Sequence, residues 1–446
     1  MNVSAIESVV PIIVVLIISI ITRRGLFALV CGLLVASLIL SNYKISDMLS
    51  KTIEYLYQSL SNETCQWLIM VIVAFGMLLG LLEASHAVEE FSTCIERIIK
   101  HRKIALIVTS FMGALIFLDD YLITLTVSTT MKGITDKLKI PRSQLAYTVN
   151  SVSAPICLLV PISTWGVFYS ALLKNSGYFD QNISGTSLYL SVLPILFYGW
   201  MAFIIVILQA VGIIPLMGKV KKDYKLIKSE DLKPLKKDMD QHANPLFFLL
   251  PILTMVVVTI VSDLNILMGA MASVILTSII YTITKKVKFY DLLNACFTGT
   301  INMAFALFLL VLAFSIQIVN KDLMLTEHMI SFLSPIMKGA YLPCIVFIFC
   351  SLYAFATGCF WDLAAIIIPI VVPLSISVGV NPLLTAAAVF SGTALGSNLC
   401  IFGDGVIMCA QACEIKPIDV MFASLPYSII AGIVSALLYL GFGFFY

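Results

Sequence analysis

Apolar runs follow one another along the whole chain, at roughly 8–22, 25–41, 65–82, 104–118, 121–135, 143–173, 187–217, 245–262, 266–284, 300–319, 342–378, 382–411 and 421–446. Many approach the ~20 residues that a helix needs to cross a hydrocarbon core ~30 Å thick. The runs are continuous rather than alternating, which excludes a β-barrel. The pattern predicts an all-α polytopic membrane protein. Three runs are interrupted in the middle, at Ser153-Ala154-Pro155, at Thr357-Gly358 and near Gly396. The one long hydrophilic stretch, 219–241, carries eight lysines mixed with acids and reads as a solvated linker.

Composition agrees with the pattern. The 446 residues are 60% hydrophobic and only 12% charged, with a mean hydropathy of +1.03. That is more apolar surface than a soluble domain can bury, so the bilayer is the expected partner. A net charge of +2 gives no electrostatic footprint for nucleic acid. The eleven cysteines lie mostly inside apolar runs, without a CxxC pair, and read as small packing residues. The four histidines are scattered. No serine or cysteine sits in a nucleophile setting, and neither GxxxxGK[ST] nor GxGxxG occurs. We therefore expect no enzyme, no resident cofactor or metal, and no ATP-driven pump on this chain.

Lysine and arginine placement sets the orientation. Arg23-Arg24, Arg97–Lys103, Lys132–Arg142, the linker, Lys285–Lys288 and Lys416 are placed together on the cytoplasmic side. This puts the N-terminus outside and the linker inside, in a multi-pass protein of the plasma (cell) membrane. Lys44, Lys51, Lys321 and Lys338 then fall outside, a modest violation. The segment from Lys103 to Arg142 must begin and end inside, so it forms a re-entrant hairpin that turns near Asp119–Tyr121. The counterpart in the second half, from Leu342 to Val380, begins and ends outside. The expected organisation is two inverted-topology repeats, 1–217 and 245–446, each with a re-entrant hairpin and a discontinuous helix, joined by a basic cytoplasmic linker, 218–244. At an offset of 241, Pro141 meets Pro382, Ala146 meets Ala387 and Ser163 meets Asp404. The shared order of hairpin and interrupted run supports the repeat more than these identities do.

Polar residues at membrane depth are costly and mark pathways. Asp119 and Asp120 stand side by side at the predicted hairpin tip. Adjacent carboxylates repel when both are ionised, and either a metal cation or a proton relieves the repulsion. Such a site chooses between Na⁺ and H⁺. Tyr121, Thr124 and Thr126 add hydroxyl oxygens. Asn150, Ser151 and Ser153 precede Pro155; Pro155 and Pro161 each remove a helix donor and free carbonyls for a cation. Ser163 and Thr164 are candidate caps for a following half-helix, whose N-terminus favours an anion. In the second half, Thr357, Gly358 and Asp362 form one constellation, and Gly396, Ser397, Asn398, Gly403 and Asp404 another. Glu83, Glu89 and Glu90 read as interfacial. Each feature also has a plain structural reading: one aspartate caps a half-helix, Trp165 packs, and small residues let helices approach.

The stretch LDDYLITLTVSTTMKGITDKLKIPRSQLAYTVNSVSAPICLLVPISTWG resembles the NhaC-type sodium/proton antiporters of the ion-transporter superfamily. Their pattern there is close to DDYxxxLTVG, then a T-D segment ending in L-A-Y, then D-S-T-A-A-P and P-I-S-S-W-G. The match continues more weakly at ATG (356–358) and LPY (425–427). The resemblance implies a secondary transporter that exchanges Na⁺ for H⁺, or a Na⁺- or H⁺-coupled relative carrying a small amino acid or carboxylate. The departures bear on that choice. Asn150 stands where the family carries Asp. Ser397, Asn398 and Ile401 replace Asp, His and Pro of the second-half motif, while Asp404 is kept and Asp362 stands in place of Gly. An amide keeps an oxygen ligand but cannot titrate. A channel or a scaffold is the alternative from another class, and a homodimer is one assembly open to the chain.

Overall fold

Lipid offers no partner for a backbone amide, so each apolar run must close its own hydrogen bonds. The computed structural model accordingly folds the chain into helices, with no strand among the described residues. It describes all residues except 1–3, 23, 88–89, 92–98, 100, 181, 228–243, 326, 329–330, 332–338, 359, 402 and 446, and except the side chains of 16, 19, 20, 25, 64, 227, 306, 309, 317 and 404. The sequence expectations for Arg23, Glu89, Arg97, Lys100, Lys338 and most of the linker lie outside that set.

The helices of the first half are Ala5–Thr22, Gly25–Leu40, Ile45–Ser61, Glu63–Ala84, Arg102–Leu115, Asp120–Lys137, Arg142–Leu159, Thr164–Asn175, Gly185–Val192, Phe197–Val211 and Gly218–Ile227. Those of the second half are Leu246–Val261, Ile266–Ile283, Phe289–Asn302, Ala304–Asp322, Leu342–Thr357, Trp361–Ser377, Pro382–Leu399, Asp404–Cys413 and Pro417–Phe445. Among the described residues, four stretches are long and apolar enough to cross a membrane: Cys65–Ala84, Ile266–Ile283, Gly339–Thr357 and Pro417–Phe445. Two bent pairs pass the same test as units, Arg142–Leu159 with Thr164–Asn175 (40°) and Gly185–Ile195 with Phe197–Val211 (54°).

Each half contains a helical hairpin followed by a broken helix. The first hairpin joins Arg102–Leu115 to Asp120–Lys137 and packs on the first broken helix, Arg142–Leu159 and Thr164–Asn175. The second joins Leu342–Thr357 to Trp361–Ser377 and packs on the second broken helix, Pro382–Leu399 and Asp404–Cys413. Both hairpins fall where the sequence puts them. Their arms differ, however. The first arm of the first hairpin has 14 residues, short of the ~20 for a span. The corresponding arm of the second, counted from Gly339, has 19 and is apolar enough to cross, so its length alone does not make it re-entrant.

Two expected break points are corrected. Pro155 lies inside Arg142–Leu159, and the chain breaks only at 160–163. Proline removes one helix donor, and the tightly buried residues around it hold the helix straight enough to continue. Gly396 likewise lies inside Pro382–Leu399, with the break at 400–403. It serves packing: a Cβ there would lie 2.5 Å from the Ser351 carbonyl oxygen and 2.7 Å from the Phe355 nitrogen. Gly396→Ala is therefore expected to force apart the second hairpin and its broken helix, at about 1–3 kcal/mol. A thermal midpoint in detergent equal to wild type would contradict this.

The helices Ile45–Ser61 and Phe289–Asn302 were not among the apolar runs. Both are amphipathic; the first buries only Thr52, Tyr55 and Ser59. Phe289–Asn302 packs backbone to backbone on Glu63–Ala84, where a Cβ on Gly76 would lie 2.7 Å from the Gly299 carbonyl oxygen.

Candidate functional site

In each half the hairpin tip meets the break in the helix that follows. In the first half Thr164, just past the break, makes two bonds to the tip. Its amide donates to the Leu118 carbonyl (2.9 Å), and its hydroxyl donates to Asp119 Oδ2 (3.1 Å). Asp119 is the N-cap of the second arm: Oδ1 accepts from the amides of Tyr121 (3.0 Å) and Leu122 (3.2 Å). Ser163 caps the half-helix beyond the break, accepting from the Gly166 amide (2.9 Å) and donating to the Cys157 carbonyl. Pro161 sits within the break itself. Asp119 and Asp120 are both buried, at 4% and 5% exposure. The capping role allowed for one aspartate thus belongs to Asp119, and Thr164 is a tether rather than a cap.

In the second half Gly358 ends the first arm with φ +73°, a left-handed conformation that glycine adopts without strain. A Cβ there would stand 3.3 Å from Cys400 Sγ and 3.5 Å from Gly403, so this tip too lies against its break. Gly403 is the N-cap of Asp404–Cys413. Thr357 is buried and its hydroxyl donates to the Tyr353 carbonyl (2.8 Å). Asp362 is buried in the first turn of the second arm. The side chain of Asp404 lies outside the described part of the structure.

The two broken helices are bonded to one another at a point away from the first break but close to the second. Asn150 Nδ2 donates to the Asn398 carbonyl (2.8 Å) and to Ser424 Oγ of the C-terminal helix (3.2 Å). Asn398 Nδ2 in turn donates to Tyr198 Oη (3.0 Å). Ser153 Oγ donates to the Asn150 carbonyl, and Ser397 Oγ to that of Ala394. Ser151 is buried, with no partner for its hydroxyl among the described residues. Pro155 also leaves the Ser151 carbonyl without its usual helix donor. Thr124 is fully buried and its hydroxyl is likewise unpartnered among the described residues.

The cation site expected from the sequence joins Asp119 or Asp120, Asn150 and the carbonyls around Ser153–Pro155 with Asn398 and Asp404 of the other half. The structure separates them into a tip cluster (Asp119, Ser163, Thr164) and a crossing cluster (Asn150, Ser153, Asn398). Because the helix continues through Pro155, the rise from Asn150 to the break at Val160 is ~15 Å.

A partly open cavity of about 630 Å³ runs along the second arm of the first hairpin and is lined by Asp119, Tyr121, Thr126, Glu83, Asn302 and Met303, among others. A narrower space of about 80 Å³ shares Asp119, Tyr121, Asn302 and Met303 and adds Thr164, Phe168 and Trp361. Of the three glutamates read as interfacial, Glu83 joins this lining and Glu90 pairs with Lys286. Trp165 packs, stacking on Phe360 at 4.8 Å between ring centres, so the second hairpin's tip reaches across to the first broken helix. Sequence reasoning missed Asn302, Tyr198, Ser424 and Trp361. A lone polar residue ending an otherwise amphipathic helix was the one available signal for Asn302.

At the base of the first hairpin, Glu414 pairs with Lys132 (2.7 Å) and Arg142, and Arg142 also binds Asp136 (3.1 Å). These contacts tie the hairpin to the turn after the second broken helix. Lys132 first, then Arg142, holds the Glu414 carboxyl below its ordinary value of 4.5. The group therefore contributes stability that is full above pH 4.5 and lost as pH falls through the lowered value. The pair is half exposed, so the contribution is under about 1 kcal/mol. Glu414→Gln is expected to flatten the fall in thermal midpoint below pH 4.5, with little change at pH 7. An unaltered acid limb would contradict this.

Hairpin tips set against helix breaks, beside a cavity holding a buried carboxylate, define a multi-pass membrane transporter. The sequence profile of the Na⁺/H⁺ antiporter family matches residues 156–444. The chain belongs to that family, as the motif resemblance implies. An uncharacterized protein of Haemophilus influenzae is 22% identical over 99% of this chain and 92% of its own length. Among solved structures, the YdaH transporter of Alcanivorax borkumensis is similar with a TM-score of 0.64, at 13% identity over 89% of this chain and 88% of that one. MtrF of Neisseria gonorrhoeae, from a class of antimetabolite efflux pumps, is similar with a TM-score of 0.59, at 13% identity over 90% and 85%. At these identities the two structures share the fold.

Proposed function

We propose that the protein is a secondary antiporter of the plasma membrane that exchanges Na⁺ for H⁺ at the tip of the first hairpin. The observation that carries this reading is Asp119, a buried carboxylate that faces a cavity and is tied through Thr164 to the break in the adjacent helix. A cation on Asp119 and the neighbouring Asp120 and a proton there relieve the same repulsion, so each excludes the other. Motion of the tip is coupled to the break by the two Thr164 bonds. Exchange then follows if one ion-loaded unit rocks against the rest.

The recurrence of tip against break in both halves supports inverted repeats at 1–217 and 245–446. The placement of basic residues supports an outside N-terminus and a cytoplasmic linker. Na⁺ and H⁺ are cargo, with no resident cofactor. The reading with a carboxylate or amino acid as cargo would have only the helix N-termini beyond Ser163 and Gly403 to hold an anion, because the described residues lining the two cavities include no Lys, Arg or His.

Radiolabelled Na⁺ uptake into liposomes holding the purified protein tests this. Uptake should saturate, should be accelerated by an inside-acid pH gradient, and should need no organic solute. Uptake indifferent to the pH gradient would overturn the reading.

A further inference from the structure

We infer that the joined cavities beside Asp119 also accept a small organic cation with an apolar body, which competes there with Na⁺. The inference deepens the exchange reading above and rests on it.

Size is the first observation. The larger space, about 630 Å³, falls within the ~300–1,000 Å³ of small-molecule sites. A Na⁺ ion with a few waters at ~30 Å³ each would leave most of it without a specific occupant. Charge is the second. Asp119 and Glu83 are the ionisable side chains of the lining, and no Lys, Arg or His appears among the described residues there. Among the described residues the hydrogen-bond donors on Asp119 are neutral: two amides and the Thr164 hydroxyl. They orient the carboxylate and leave its charge to an incoming cation. An anion would meet two carboxylates, and a neutral solute would gain hydrogen bonds but no ion pair.

Wall chemistry is the third. Beyond Asp119 the cavity narrows between Tyr121, Phe168 and Trp361, with the Phe168 and Trp361 rings edge to face at 4.7 Å. Aromatic faces near a carboxylate suit an ammonium that carries a ring or alkyl group, since the rings attract the charge and shed water from the body. A hydrated alkali ion makes no use of such a wall. The fit is therefore to a monovalent ammonium with its charge at Asp119 and its apolar part against Trp361.

Benzyltrimethylammonium is the probe: it is permanently charged, so it cannot cross or bind as a neutral amine. Its binding to the full-length protein in detergent is measured with the tritiated compound, beside radiolabelled Na⁺ on the same preparation. We expect saturable binding displaced by Na⁺, with no displacement by benzoate or benzyl alcohol. Trp361→Ala should weaken it about tenfold, the upper size of an aromatic contact with the probe's ring. Trp361→Phe, which keeps a ring and guards against a folding artefact, should recover most of the loss. Failure of the probe to bind while Na⁺ binds normally would overturn this inference and leave the exchange reading standing. Equal displacement by benzyl alcohol would also overturn it, marking a nonspecific apolar or lipid-filled space. Probe binding that Na⁺ does not displace would contradict the shared site.

Discussion

The Asp119→Asn/Asp120→Asn variant is expected to fold, to insert, and to lose ion-coupled transport. Asparagine caps a helix as well as aspartate does, so Oδ1 at position 119 can still accept from the Tyr121 and Leu122 amides. The amide nitrogen can donate to the Thr164 hydroxyl in place of the bond that Asp119 now accepts. The local geometry therefore survives while both charges go. Removing one partner of a buried ion pair costs about 3–5 kcal/mol, which is roughly a hundred- to several-thousandfold in cation affinity. Radiolabelled Na⁺ flux and the thermal midpoint, read on the same preparation, separate loss of the site from loss of the fold. Saturable, ion-coupled transport at the wild-type rate would remove the hairpin tip from the mechanism.

Asn150→Asp should add a pH dependence of stability between pH 5 and pH 8. Asn150 Nδ2 is a donor to two acceptors, the Asn398 carbonyl and Ser424 Oγ. An ionised carboxylate can donate to neither. Ser424 can turn its hydroxyl to donate, but the Asn398 carbonyl would face a negative oxygen. Only the protonated carboxyl restores a donor. The variant is therefore expected to be more stable at pH 5 than at pH 8, by about 1–3 kcal/mol, the cost of a buried group left unsatisfied. A thermal midpoint that matches wild type at both pH values would contradict the crossing bond. The experiment also bears on the family departure at this position: the amide in this chain holds two broken helices together through a donor that the aspartate of the resemblance could supply only when protonated.

Much of the architecture was legible because it rests on one-dimensional signals. A pair of aspartates at the end of an apolar run has few structural meanings, and the first hairpin falls where they stand. Pro161, Gly358 and Gly403 stand at the observed breaks, whereas Pro155 and Gly396 do not, for physical reasons. Proline suggests the end of a helix at 155, yet a packed bundle tolerates the loss of one donor, and the chain turns only at 160–163. Glycine suggests a helix break at Gly396, yet its missing Cβ is what lets two helices touch. Helices such as Ile45–Ser61 escaped because a search for apolar runs does not find an amphipathic one. The cavity lining was the least legible part. Glu83, Asn302 and Trp361 come from three separate elements, and nothing in their sequence surroundings ties them to Asp119.

The central claim, that ions are exchanged at the first hairpin's tip, is tested most directly by internal pH. Purified protein is placed in liposomes with a pH-sensitive dye inside, the membrane potential is clamped, and Na⁺ is added outside. The account predicts that the interior becomes alkaline as Na⁺ enters and protons leave, with no organic solute present, and that the Asp119→Asn/Asp120→Asn variant shows no change. A wild-type interior that stays at its starting pH, with Na⁺-dependent accumulation appearing only when labelled amino or organic acids are supplied, would contradict it.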